Sequence, residues 1–140
     1  MTGARERVVA VCSGLPGAEQ TFPFGEGVAV FKVRGKIFAL VSLGPAPGSL
    51  SVKVEPDLGA GLVREHASIT PGYHLDKRHW VTVELDGSVP AKFVAGLVED
   101  SYDLVVAALP RRLRDELSQP GAPGVKRTGR ARGGRGSPRS

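Results

Sequence analysis

The ten residues Pro71-Gly72-Tyr73-His74-Leu75-Asp76-Lys77-Arg78-His79-Trp80 hold the chain's only tryptophan, one of its two tyrosines and two of its three histidines. Imidazoles and carboxylates can bind metals or move protons, indoles and phenols can stack on bases, and ammonium and guanidinium groups can meet phosphate. His74, Asp76 and His79 are the metal option. Two histidines five positions apart in a loop do not fix a coordination geometry as an H-E-x-x-H helix does, and no thiolate stands nearby. The expectation is therefore no metal, with His74 bonded to the loop backbone and His79 at the start of a strand.

Catalytic constellations are equally thin. Cys12 falls on the apolar side of a helix and reads as a small buried hydrophobe. No serine occupies a G-x-S-x-G turn, and the glycines form neither a P-loop nor a G-x-G-x-x-G after a strand. Glu99 and Asp100 are adjacent on a helix and diverge, and Asp76 and Asp86 read as solvated. We expect neither an enzyme nor a bound cofactor. What remains is recognition, with Lys77 and Arg78 for phosphate and Tyr73, His74 and Trp80 beside them to stack or bond.

The elements that must position this segment follow from periodicity. A first helix from about Gly3 to Ser13 puts Val8, Val11 and Cys12 on one face, and Leu15-Pro16-Gly17 stops it. Val28–Val33 and Lys36–Val41 flank Arg34-Gly35 as a β-hairpin, and Leu50–Val54 alternates as a third strand with one wet face. Pro56 opens a second helix, weakened by Gly59 and Gly61. A strand from about His79 to Leu85 has His79, Val81, Val83 and Leu85 as its apolar side, so Trp80 points away from it. Ser88 is the expected N-cap and Pro90 a first-turn residue of the last helix, Ala91 to Leu109. On that helix Phe93, Val94, Leu97, Val98, Leu104, Val105, Ala108 and Leu109 form the apolar stripe. The order predicts an α+β domain of two layers, an antiparallel sheet of four to five strands with helices on one face.

Charge is unevenly placed. Residues 1–110 carry ten Lys/Arg against twelve Asp/Glu, a net of −2; residues 111–140 carry nine against two, a net of +7, giving the chain's +5. The expected division is a domain over residues 1–114 and a disordered Pro/Gly/Arg-rich basic tail over 115–140, which lacks the apolar surface to offset its ordering entropy. Lys126, Arg127, Arg130, Arg132, Arg135 and Arg139 lie among glycines with no aromatic residue, so the tail offers phosphate contacts without stacking. One cysteine and no signal-peptide or membrane-spanning pattern point to a soluble cytoplasmic protein.

The combination of Leu15-Pro16-Gly17, Phe22-Pro23-Phe24-Gly25, the Val28–Leu43 hairpin, Pro71-Gly72-Tyr73-His74, Lys77, His79-Trp80, Leu85-Asp86-Gly87, Ser101-Tyr102-Asp103-Leu104-Val105 and Leu109-Pro110-Arg111-Arg112-Leu113-Arg114 resembles the MmcQ/YjbR family of small bacterial proteins over about residues 5 to 114. The resemblance implies a two-layer fold of the frataxin-like and secretion-chaperone-like kind (a CyaY-like fold) and a DNA-binding role. The basic tail and Asp76, where an asparagine is usual, depart from the family pattern. The expected function is weak, largely sequence-nonspecific DNA binding through Tyr73, His74, Lys77, Arg78 and Trp80, with Arg111, Arg112 and Arg114, aided by the tail. The alternative is a protein-interaction or small-ligand module.

Overall fold

The computed structural model describes residues 3–45, 47–72 and 76–117. Its elements run α1 (Ala4–Ser13), β1 (Ala18–Thr21), β2 (Val28–Val33), β3 (Lys36–Ser42), β4 (Ser49–Lys53), α2 (Pro56–Glu65), β5 (Ile69–Pro71), β6 (Trp80–Glu84), α3 (Ala91–Ala107) and α4 (Arg111–Leu117). The strands form one sheet in the order β1-β2-β3-β4-β6-β5, and every neighbouring pair is antiparallel. The α+β expectation holds, with six strands where four to five were expected. The two extra strands are the sheet's edges. Ala18-Glu19-Gln20-Thr21 has no apolar alternation, and β5 is three residues ending in Pro71, so main-chain pairing alone defines them. An edge position tolerates both compositions.

The β2–β3 hairpin turns where Arg34 and Gly35 both take positive φ, 51° and 84°, matching the twist of the strands on either side. Register places Gln20, Phe31, Ala39, Val52, Val81 and Pro71 in one row across all six strands. The core lies on that side of the sheet. Val8 and Cys12 of α1, Leu62 of α2, Val94, Leu97, Val98 and Val105 of α3 and Leu117 of α4 join Phe31, Val41, Leu50, Val52, Ile69, Val81 and Val83 in one buried cluster. The next row, Thr21, Val30, Leu40, Ser51, Thr82 and Thr70, faces the other way. Val30 is fully buried there, whereas Ser51, Lys53, Trp80 and Thr82 are partly exposed and Thr70 is exposed, so this second face is open at its β4–β6–β5 end.

Three local expectations are corrected. Ser88 does not cap α3; its hydroxyl bonds Ser68 Oγ (2.8 Å) and Asp86 Oδ1 (2.7 Å), and Pro90 occupies the N-cap position. Phe93 leaves the apolar stripe, is exposed, and lies 5.5 Å from the His66 ring. Gly59, read as a weak point of α2, is buried, and a Cβ there would come within 2.7 Å of Val54 Cγ2, so glycine permits the close approach of α2 to the sheet. The chain past Arg114 completes the last turn of α4 and buries Leu117; the rest of the tail lies outside the described residues. No helix among the described residues is long and apolar enough to cross a membrane.

Candidate nucleic-acid interface

Asp76 organises the turn that leads into β6. Its Oδ1 accepts the Arg78 main-chain N–H (3.0 Å), its Oδ2 lies 3.0 Å from His79 Nδ1, and its carbonyl accepts the N–H groups of His79 and Trp80. The His79 contact first, and then the Arg78 N–H, hold its carboxyl below the ordinary aspartate value. Across the base of the loop, Gly72 N–H donates to the Trp80 carbonyl (2.8 Å) and Lys77 Nζ to the Gly72 carbonyl (3.3 Å). Val54 N–H donates to the His79 carbonyl (2.8 Å), tying the turn to the end of β4. A short polar side chain that bonds the backbone two residues on is a sequence-local way to make such a turn.

Lys77 and Arg78 are exposed on this turn, and the Arg78 guanidinium makes no hydrogen bond among the described residues. Trp80 is half-buried on the open face, directly opposite Lys53. Tyr73 and His74, the other two members of the expected cluster, lie outside the described residues. So do Lys126, Arg127, Arg130, Arg132 and Arg135.

The second expected group sits on α4. Arg111 and Arg112 are exposed, with Arg111 Nε 3.9 Å from Asp115 Oδ2. Arg114 is committed locally, since its Nη1 donates to the carbonyls of Ala107 (3.3 Å) and Leu109 (3.1 Å) where α3 ends. Arg34 in the hairpin turn pairs with Glu116 at 2.6 Å and fixes α4 beside that turn. Ala39 stands opposite Val52 and Lys53 opposite Trp80, so the hairpin, the end of β4 and the start of β6 share one end of the sheet. The two expected groups thus come to the same end of the molecule.

Sequence reasoning missed Lys53 as a site residue. Alternation along Leu50–Val54 put it on the wet face; only the cross-strand register, which is non-local, puts it against Trp80. Phe22 and Phe24 are exposed at the opposite end, past β1. Among the described residues no three His, Cys, Asp or Glu side chains cluster to hold a metal ion. Burial pushes the Cys12 thiol up to about 12, which keeps it protonated.

Two grooves of about 290 Å³ lie on the helix side. One runs between α1 and the start of α3, lined by Val8, Val11, Leu85, Val89 and Val94 among others, and the other lies between Leu58 and Leu97 beside Asp100 and Asp103. Trp80 lines neither.

The buried contacts explain several segments through which the resemblance was read. Ser101 Oγ donates to the Phe38 carbonyl (2.6 Å) and accepts the Lys53 N–H (2.9 Å), and Tyr102 stacks edge-on to Phe38 at 5.4 Å. Gly17, at φ 73°, sits so close to Leu117 that a Cβ would meet its methyl at 2.6 Å.

Comparison with known proteins agrees. The chain is 37% identical over 108 residues to the uncharacterized protein YjbR of Escherichia coli (strain K12), spanning 77% of this chain and 92% of that protein. It is 36% identical over 98 residues to the uncharacterized protein YbdF of Escherichia coli O157:H7, spanning 70% and 80%. Among solved structures, Deinococcus radiodurans protein DR2400, with family domain DUF419, superposes with a TM-score of 0.77 at 41% identity over 86% of this chain and 91% of that one. A Pseudomonas syringae protein gives 0.53 at 32% identity over 62% and 86%. The YjbR family model matches residues 13–104, and with these relatives and this fold the chain belongs to the YjbR family.

Proposed function

We propose that this protein binds nucleic acid, DNA in particular, in the cytoplasm, weakly and with little sequence preference, and carries out no reaction on it. One observation supports this most directly. The Asp76-centred turn holds Lys77, Arg78 and Trp80 together beside Lys53, with the Arg78 guanidinium unengaged among the described residues. Main-chain bonds on both sides of the turn set the spacing of these groups before any ligand arrives, which lowers the ordering cost of binding. Arg111 and Arg112 add cations at the same end, and the six basic residues from Lys126 to Arg139 add a sequence-independent electrostatic contribution.

The test is a fluorescence-anisotropy titration of a random 30-base-pair duplex at 50 and 200 mM salt. Full-length protein should lose affinity on the order of a thousandfold between the two if about six phosphates are neutralised. Replacing the six basic tail residues by glutamine should flatten the salt slope, and the K77A/R78A double variant should weaken binding at every salt concentration. Unchanged binding in both variants would sink the reading.

A second reading, a small apolar ligand in the α1–α3 groove, rests on that groove's valine lining. Its volume sits at the low end for ligand sites. Retained ligand in the purified protein, seen by native mass spectrometry, is the observation that would favour it.

A further inference from the structure

The open face of the sheet places Trp80 and Lys53 side by side on adjacent strands, with no helix of the described residues packed over them. We infer that this face is a platform for single-stranded nucleic acid, with Trp80 stacking on an unpaired base and Lys53 meeting the adjoining phosphate. The inference rests on the nucleic-acid reading above and narrows it to unpaired strands.

Trp80 and Thr82 alternate with buried Val81 and Val83, so their side chains stand on the face away from the core. Lys53 and Ser51 alternate in the same way with Val52 and Leu50. Register sets Lys53 against Trp80 and Ser51 against Thr82, whose hydroxyls lie 2.9 Å apart, with Thr70 next in the row. The surface therefore runs from an indole and an ammonium group to a band of hydroxyls, and on to the partly exposed Leu40, ending where Val30 is buried. A stacking ring, a neighbouring cation and hydroxyl donors on a flat support are the components that hold splayed single strands on sheets. A duplex keeps its bases stacked inside and cannot use the indole.

Charge on the face favours the Trp80 corner. Its ionisable residues are Glu19, Lys32, Lys53 and Glu84, and Glu19 stands opposite Lys32. Glu84 lies at the far end, opposite Ser49. Lys53 is left opposite Trp80, at the end of the sheet where the adjoining turn carries Lys77 and Arg78 and Asp76 is engaged with His79 and the Arg78 N–H. Glu55 turns into the groove on the helix side with Leu58 and Leu97.

Size argues against a second copy of the chain as the occupant. Strands about 4.8 Å apart and about 17 Å long make a six-stranded face of roughly 400–500 Å². A self-pair would bury about 900 Å², well under the roughly 1,600 Å² of a stable interface. A strand of about four nucleotides, the low end of known single-strand sites, needs no more.

Trp80 is the only tryptophan, so indole emission reads this corner alone. Full-length protein is titrated with a 12-nucleotide oligo-dT strand and with a 12-base-pair duplex, alongside W80L, W80F and K53Q variants. Oligo-dT should quench the indole saturably. W80L should lose about 5- to 150-fold in oligo-dT affinity, the worth of one stacked base, and more than it loses for the duplex. W80F should keep most of the affinity, which separates stacking from misfolding. K53Q should reduce the oligo-dT salt slope by about 0.7, one phosphate contact. Binding without quenching and unaltered in W80L would overturn the platform while leaving the nucleic-acid reading intact. Binding of neither ligand would remove both. Indole emission that shifts with protein concentration alone would assign the face to a second copy of the chain instead.

Discussion

The Tyr102 hydroxyl donates to the carbonyl of Pro16, 2.6 Å away and 86 positions earlier in the chain. That bond joins the middle of α3 to the turn between α1 and β1, and both residues are buried. Tyr102→Phe leaves the Pro16 carbonyl without this donor. The expected loss is about 1–3 kcal/mol, read as a lower urea midpoint at unchanged slope. A midpoint within error of the parent would show that this carbonyl is satisfied another way.

Ser101 makes a bridge of a different kind. β2 pairs Phe31 with Ala39 and Lys32 with Ile37, leaving Phe38 as the extra residue of a bulge. The Ser101 hydroxyl occupies the gap this opens, bonded to the Phe38 carbonyl on one strand and the Lys53 N–H on the next. Removing it in Ser101→Ala orphans two main-chain groups at a fully buried position, a cost of about 2–4 kcal/mol. Hydrogen exchange at the Lys53 amide should accelerate in this variant more than at Val52.

The two glycines of α2 should respond in opposite directions to alanine. At Gly61 a Cβ meets only Arg64 Nη2 at 3.8 Å, so Gly61→Ala should stabilise by up to about 1 kcal/mol through helix propensity. At Gly59 a Cβ would press on Val54 Cγ2 at 2.7 Å and touch Val81 Cγ1 at 3.6 Å, both buried, so overpacking by about 1–3 kcal/mol should outweigh the propensity gain. Thermal melts of the two variants should therefore move apart, with Gly61→Ala above the parent and Gly59→Ala below it.

Acid should release the Asp76 turn. Its carboxyl titrates below the ordinary 3.8 in the folded state because of the His79 contact and the Arg78 N–H, so its contribution is present above the unfolded value and lost as pH falls through the folded one. Trp80 follows Asp76 through the main-chain bond between them, so its emission should show a step below about pH 4. Asp76→Asn keeps an acceptor for Arg78 but carries no charge, and its emission should not show that acid step. A step of equal size in both proteins would place its origin elsewhere.

What could be read from the sequence was what is periodic or turn-bound. The β-rich run Val28–Val33, the alternation in Leu50–Val54, the Arg34-Gly35 turn and the stripe of α3 each carry their structure locally. The edges did not, because β1 and β5 exist only by pairing with β2 and β6. Ser88 was misread because three loop serine and aspartate oxygens satisfy one another before the helix begins at Ala91. Alternation alone correctly turned Trp80 away from the core. Its neighbour Lys53 needed the register, which pairs residues 27 positions apart and leaves no trace in either segment. Cross-strand pairing also shows what the stripe of α3 hides, that a serine on its inner side completes the sheet.

The sheet's margins decide how the molecule can be approached. β5 is three residues long and closes on Pro71, whose nitrogen has no hydrogen to donate, and β1 is four residues long with Glu19 and Gln20 exposed along it. Neither rim is a template on which another extended chain could be laid down, the route by which sheets recruit strands and by which they aggregate. Growth by annealing is disfavoured on both sides, and contact with other molecules is left to the broad side of the sheet, the turns at its ends and the helices.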